Sequence, residues 1–464
     1  MKTNALEWRE PWTERLERFF IIYLFANPVL DIINGIYIYT LRKLSIHPPG
    51  WLAALTPTLL LRIGVLVILC GYILLRRENR ALFGMSLISL AAALSVLSEI
   101  LFSERQNFFL DAQYAARFVY NIAALAVFTL MARDDRMGPE KILLLFRRVF
   151  TWTATIMSGS IFICLIVSSV RDERFGFATY GDRFGFRGVS GFYFATNEAV
   201  AIIMLMLPVL FVEFFRSGGF RDWKNWPKLI APALTINAML LMATKTAFAA
   251  LIATLTFTVL YQLIRIIKTK DIRILLRFGQ GIILTGAIFL LLSLFGMTDS
   301  VTGSIDGFTE HLTEEGNEFI YIQDEEQRRA VAEAPPWLRV FLSGREFHMM
   351  RAANQWAQNP YTVVFGVGRG SQARVIEMDF FEVLFYYGIF GFIVMFLPYA
   401  QRFIDFFRQR KKINNFQAWS VMLGLALTLG YSFLAGHVFF SVTGGFYFAL
   451  MLVYGALTLS EEPV

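Results

Sequence analysis

Apolar runs of about 20 residues recur along nearly the whole chain, and that repetition leaves few folds open. In hydrocarbon every backbone N–H and C=O must find an internal partner, which only helices and closed barrels achieve. The runs are continuous rather than alternating, so they imply helices and not barrel strands. Composition agrees: 56% of residues are hydrophobic and only 17% charged, against about 25% charged in a soluble chain. The expectation is an all-α polytopic membrane protein. Twelve spans are read near 19–39, 56–75, 81–102, 111–132, 146–169, 191–215, 228–243, 245–266, 276–296, 379–400, 416–433 and 437–459. The seventh and eighth nearly touch, with Ala243-Thr244-Lys245-Thr246 as their turn.

These spans divide the chain into a terminal segment (1–18), nine helices (19–296), a large loop (297–378), three helices (379–459) and a short tail (460–464). Residues 1–18 are polar and precede a full-length span, unlike a cleavable signal. Lys and Arg favour the loops on the side of the N-terminus, which predicts both termini in the cytoplasm and the large loop outside. The net charge of +7 therefore reflects topology, and no nucleic-acid partner is expected. Cys70 and Cys164 both lie within apolar spans, so no disulfide framework is expected. The first half of the loop is acidic, and "EAPPWLRVF" resembles an interfacial segment.

Cations on the predicted outer side oppose the topological trend and need a reason. "RDERFGFATYGDRFGFRGVSGFYFATNEA" carries Arg171, Arg174, Arg183 and Arg187. Lys245 sits at a turn. "SGREFHMMRAANQWAQNP" reads as a helix with Arg345 and His348 on one face and Arg351 one turn further on. The bland reading is lipid headgroup contact; the functional reading is an anion site, since arginine binds phosphate through a planar fork. Asp31, Arg62, Glu99, Arg117 and Glu198 fall inside spans, and such residues are functional candidates by default; Asp31 with Arg62, or Glu99 with Arg117, are also candidate structural pairs. "GVGRGSQARVIEMDFFEVLFYYGIFG" follows, with Arg369 in its glycine loop and Glu377, Asp379 and Glu382 at the mouth of a helix. One acid there is explained by the helix N-terminus, three less well. A carboxylate so placed is a candidate general base. The histidines lack metal-ligand spacing, so no metal and no cofactor are expected.

Three stretches resemble the O-antigen ligase and Wzy-type polymerase family of bacterial membrane glycosyltransferases. They are Arg187-x3-Gly191-x5-Asn197, the helix start "ATKTAFAAL" with Lys245 where the family has arginine, and "SGREFHMMRAANQW…NP…FGVGRG…GIFG" around the large loop. The resemblance implies a GT-C-like helical fold in the bacterial plasma membrane and an outward-facing site. It implies metal-independent, inverting transfer from a polyprenyl-diphosphate-linked oligosaccharide to a glycan acceptor. In that reading Glu377 or Asp379 is the base, with His348 in reserve. Arg345 and Arg187 neutralise the diphosphate, and Lys245, Asn197, Arg351 and Arg369 bind substrate. A chain-length regulator and a flippase are the implied pathway partners. The ligases carry a His-Asn pair where this chain has Glu377-Met378-Asp379, which favours polymerase over ligase. A transporter or flippase of lipid-linked sugars and a non-catalytic scaffold are the competing readings.

Overall fold

The computed structural model describes residues 9–46, 56–134, 137–180, 187–193, 195–217, 222–299, 301–302, 345–372, 374–408 and 415–459. Most of the large loop, including its acidic half and "EAPPWLRVF", lies outside the described residues, as do Arg183 and the side chain of Arg187.

The helices are α1 (Arg9–Lys43), α2 (Pro57–Arg76), α3 (Asn79–Phe102), α4 (Phe108–Ala132), α5 (Pro139–Arg171), α6 (Thr196–Arg216), α7 (Trp226–Met242), α8 (Lys245–Thr269), α9 (Arg273–Ser293), α10 (Arg345–Ala357), α11 (Pro360–Phe365), α12 (Asp379–Arg408), α13 (Phe416–Leu434) and α14 (Val442–Thr458). A short antiparallel hairpin, β1 (Phe177–Tyr180) and β2 (Arg187–Gly191), joins α5 to α6. Each of the twelve sequence-derived spans falls on a helix. Ten of these helices are long and apolar enough to cross a membrane; α7 and α14 are shorter, at 17 residues each. The chain is an all-α, multi-pass membrane protein.

Local chemistry sets the boundaries. Thr56, Asn107, Thr244, Asn415 and Ser441 each accept a hydrogen bond from a first-turn N–H of the helix that follows. The α7–α8 turn is only two residues, because Ala243 turns left-handed at φ 55° and Thr244 caps α8 at once. Lys245 is thus the first residue of a helix rather than part of a turn. The last span starts later than expected: residues 435–441 form a turn, and α14 begins at Val442.

Helix α6 lies at the centre, with 89% of its apolar window buried, whereas α9 is peripheral at 6%. It packs on α13, α7 and α5, and α14 packs on α4. An aromatic cluster of Phe118, Phe396, Tyr399, Phe439 and Phe448 fills the space between α4, α12 and α14.

One helix is broken. Within α12, Gly388 has φ 67° and ψ −174°. The break frees the carbonyls of Phe385 and Tyr386, which accept hydrogen bonds from Val367 N–H (2.9 Å) and Gly368 N–H (3.0 Å). The "GVG" segment thus pairs with a helix interruption, and irregular backbone within a span is tolerated where protein buries it. A Cβ at Gly366 would overlap the Tyr386 carbonyl, and one at Gly388 would overlap that of Val364. Glycine is required on both sides of the contact.

Candidate active site

The acids at the mouth of α12 do not act as one set. Asp379 is fully buried. Its carboxylate accepts from Ser432 Oγ (2.7 Å) and from three successive backbone N–H groups, His437 (3.1 Å), Val438 (2.7 Å) and Phe439 (3.0 Å). Asn121 Nδ2 holds the same turn from the other side, donating to the carbonyls of Phe439 (2.9 Å) and Ser441 (3.0 Å). Asp379 therefore anchors the α13–α14 turn, with four donors shared between its two oxygens.

Glu377 precedes the helix rather than lying on it. Its φ is 62°, in the left-handed region that branched or bulky residues avoid, and His437 opposite has φ 66°. Gly436, also left-handed, lets the turn rest on the Glu377 backbone, where a Cβ would overlap it. Strained backbone of this kind collects at functional sites. The result is a compact charge constellation. Arg345, at the start of α10, donates to Glu377 Oε2 through Nη2 (2.8 Å) and Nε (3.1 Å). His437 Nε2 lies 3.9 Å from Glu377 Oε1. Glu382, one turn into α12 and fully buried, accepts from the Glu377 backbone N–H at 2.8 Å, and its second oxygen has no hydrogen-bond partner among the described residues.

The electrostatics follow from this packing. Burial opposes ionisation of Glu377, but His437 and Arg345 outweigh it and hold its carboxyl down at about 2. Burial likewise opposes the charged form of His437, but Glu377, Glu382 and Asp379 outweigh it and raise the imidazole to about 9. His348 goes the other way. Burial and the nearby charge of Arg374 lower it, with Arg351 adding to the effect against Glu377. Its imidazole is thus neutral near pH 7, one helical turn from Arg345.

The remaining sequence candidates separate into two groups. Arg351 joins the cluster through His348. Lys245, at the start of α8, is partly buried; its neighbour Thr246 and the charges of Arg345, Glu377 and Asp379 all surround the buried Tyr431. Asn197 lies in the first turn of α6 beside Glu198, whose electrostatic neighbours are His437 and Arg117. There a cavity of about 300 Å³ is lined by Asp31, Arg62, Arg117, Glu198, Tyr193 and Thr443. Arg187 opens β2, but its side chain is outside the described residues.

Arg369 is 4% exposed, between the rings of Tyr114 and Tyr386. Its Nη1 donates to the Gln372 carbonyl (2.8 Å), and its backbone N–H donates to Asp111 (2.6 Å). It shapes the glycine loop from within, and its charge reaches the cluster at Glu382. Asp31 and Arg62 form the expected pair and share Thr443. Glu99 does not meet Arg117: it caps Asn107 N–H (2.7 Å) next to Asp111, under Gly368 and Gly370, while Arg117 lies over the Tyr114 ring. Among the described residues, no group of His, Cys, Asp and Glu is arranged to hold a metal ion.

Sequence reasoning passed over His437, Arg374 and the role of Glu382. The available signal was "AGHVFF", a glycine and an ionisable residue together at a span boundary.

The comparisons with known proteins fit this architecture. No curated protein matches the chain. A family model described as "O-antigen ligase like membrane protein" matches residues 13–462, which takes in every span and every residue of the cluster. The chain belongs to the O-antigen ligase like membrane protein family.

Proposed function

We propose that the protein is a glycosyltransferase of the outer face of the bacterial plasma membrane, joining oligosaccharides carried on a polyprenyl diphosphate into a cell-surface polysaccharide. Family membership implies glycan ligation or polymerisation at a membrane by a glycosyl-transfer activity. The donor, the face and the residues are the proposal. The observation that carries it is Glu377 held between two cations, Arg345 and His437.

In this resting arrangement Glu377 is too acidic to serve as a base, since an effective base has a pKa near the working pH. An arriving diphosphate competes for Arg345 and His437. As the cations turn to the phosphates, Glu377 loses the partners that depress its pKa and becomes basic. It then takes the proton of the acceptor sugar hydroxyl. The hydroxyl oxygen bonds to the anomeric carbon as that carbon's bond to the diphosphate oxygen breaks, with inversion. The electron pair leaves with the polyprenyl diphosphate, whose growing charge Arg345, His437 and Arg351 stabilise. Lys245 and Arg187 extend the anion-binding surface, and Asn197 directly precedes Glu198, which lines the adjoining polar cavity. Neutral His348 is placed to assist proton transfer.

Purified protein with a polyprenyl-diphosphate-linked oligosaccharide should yield longer glycans and free polyprenyl diphosphate. Arg345→Ala should abolish both while the protein still inserts in the membrane. Normal product ladders from that variant would sink the assignment. Vectorial movement of intact substrate into proteoliposomes, without a change of linkage, would favour a carrier.

A further inference from the structure

At the end of the bundle opposite Glu377 lies a second, larger cavity of about 690 Å³ between α3, α4 and α12. It is independent of the glycosyl-transfer reading. Asp379 opens α12 and Arg402 lies near its far end, so the Glu377 cluster and this cavity sit at opposite ends of that helix.

Charge and shape are both particular here. Arg80, Arg133, Arg402 and Arg408 line its polar end, with Glu78 and Asp405 as the acids. Asp405 pairs with Arg408 at 3.9 Å. Asp134, at the end of α4, is taken by Arg76 at 2.8 Å. Among the described residues no ion pair reaches Arg80, Arg133 or Arg402. Arg402, near the end of α12, has Arg133, the residue that caps α4, as an electrostatic neighbour of like sign, and Asp405 and Glu78 as neighbours of opposite sign. The lining sets four arginines against two acids, and that excess of positive charge beside hydrocarbon calls for an anion. The rest of the cavity is apolar, lined by Leu87, Leu125, Val394 and Leu397. A cationic head above an apolar wall is the complement of an amphiphile.

We propose that this cavity binds the headgroup of an anionic glycerophospholipid. Its phosphate bridges Arg133 and Arg402 in the planar, bidentate manner arginine favours, and its acyl chains lie along the Leu397 wall. Basic pockets between transmembrane helices bind such headgroups. The bound lipid ties the ends of α3, α4 and α12 together.

The test uses the full chain, purified and delipidated in detergent, with native mass spectrometry and thermal unfolding as readouts. Wild type should retain phosphatidylglycerol over phosphatidylcholine by roughly tenfold or more, and phosphatidylglycerol should raise its Tm. The double variant Arg133→Gln with Arg402→Gln should lose both the preference and the Tm rise. Leu397→Trp, which narrows the apolar wall at an exposed position and leaves the arginines intact, should also lower retention. Equal retention of the two lipids by wild type would overturn the proposal. So would an unchanged preference in the arginine double variant. An equal Tm rise with inorganic phosphate alone would mark a simple ion site and overturn the lipid assignment.

Discussion

Glu377 and His437 face each other with their charged groups 3.9 Å apart, each on a backbone turned left-handed. Neither conformation is easy for its residue, and the two are held by different anchors. Gly436 seats the turn on the Glu377 backbone, and Asp379 gathers the N–H groups of the His437 turn. The pair is therefore built by the tertiary structure at the junction of three helices.

This pair predicts a pH signature. A histidine raised on folding adds stability below its ordinary value of 6.5 and loses it as pH climbs through about 9. A depressed glutamate adds stability above 4.5 and loses it as pH falls through about 2. The contribution of the pair should be greatest between those ordinary values and should decline from pH 6.5 toward 9. In thermal unfolding, His437→Gln should flatten this alkaline decline relative to wild type. Parallel Tm curves for the two proteins would refute the ion pair.

Glu377 and Asp379 should respond oppositely to amide substitution. Glu377→Gln should cut glycan transfer by about 100-fold or more, the scale of a lost general base, and should lower Tm only by the share of its ion pairs, less than Asp379→Asn does. Asp379→Asn removes the charge that four donors share, each such bond contributing about 1.5–3 kcal/mol. It should lower Tm markedly. An inactive Asp379→Asn protein of wild-type Tm would make Asp379 a participant in the chemistry instead.

Glycine dependence should be local. Gly366→Ala and Gly388→Ala each drive a methyl into a carbonyl of the opposite segment and should leave little folded protein. Gly64→Ala has open space around the new methyl and should be neutral or slightly stabilising, since alanine favours helix by up to about 1 kcal/mol. Fluorescence-detected size-exclusion chromatography would compare them, and a well-folded Gly366→Ala protein would contradict the loop-to-helix pairing.

Arg369 should behave as a framework residue. Arg369→Ala leaves Tyr114 and Tyr386 without the cation between them and should lower Tm. The KM for the lipid-linked donor, measured on the folded fraction, should stay within about twofold, because a rise in KM at unchanged kcat marks a lost substrate contact and Arg369 is committed to its two tyrosines and the Gln372 carbonyl. A large rise in KM at unchanged Tm would return Arg369 to the substrate site.

The sequence by itself determined the class of fold and that a helix lies at each apolar run, because crossing a bilayer demands long apolar helices and that demand is written locally, residue by residue. It also marked Arg345, His348 and Glu377 as candidates, since charge beside hydrocarbon is costly wherever the chain later folds. Only the tertiary structure decided which acid meets the cations. Asp379 and Glu377 are two residues apart, yet one is sealed by a turn 58 residues downstream and the other faces Arg345 from 32 residues upstream. The break in α12 was hidden for the same reason. Gly388 reads like any helical glycine until the carbonyls it frees are satisfied by Val367 and Gly368, and a hydrogen bond between distant segments leaves no periodicity to find.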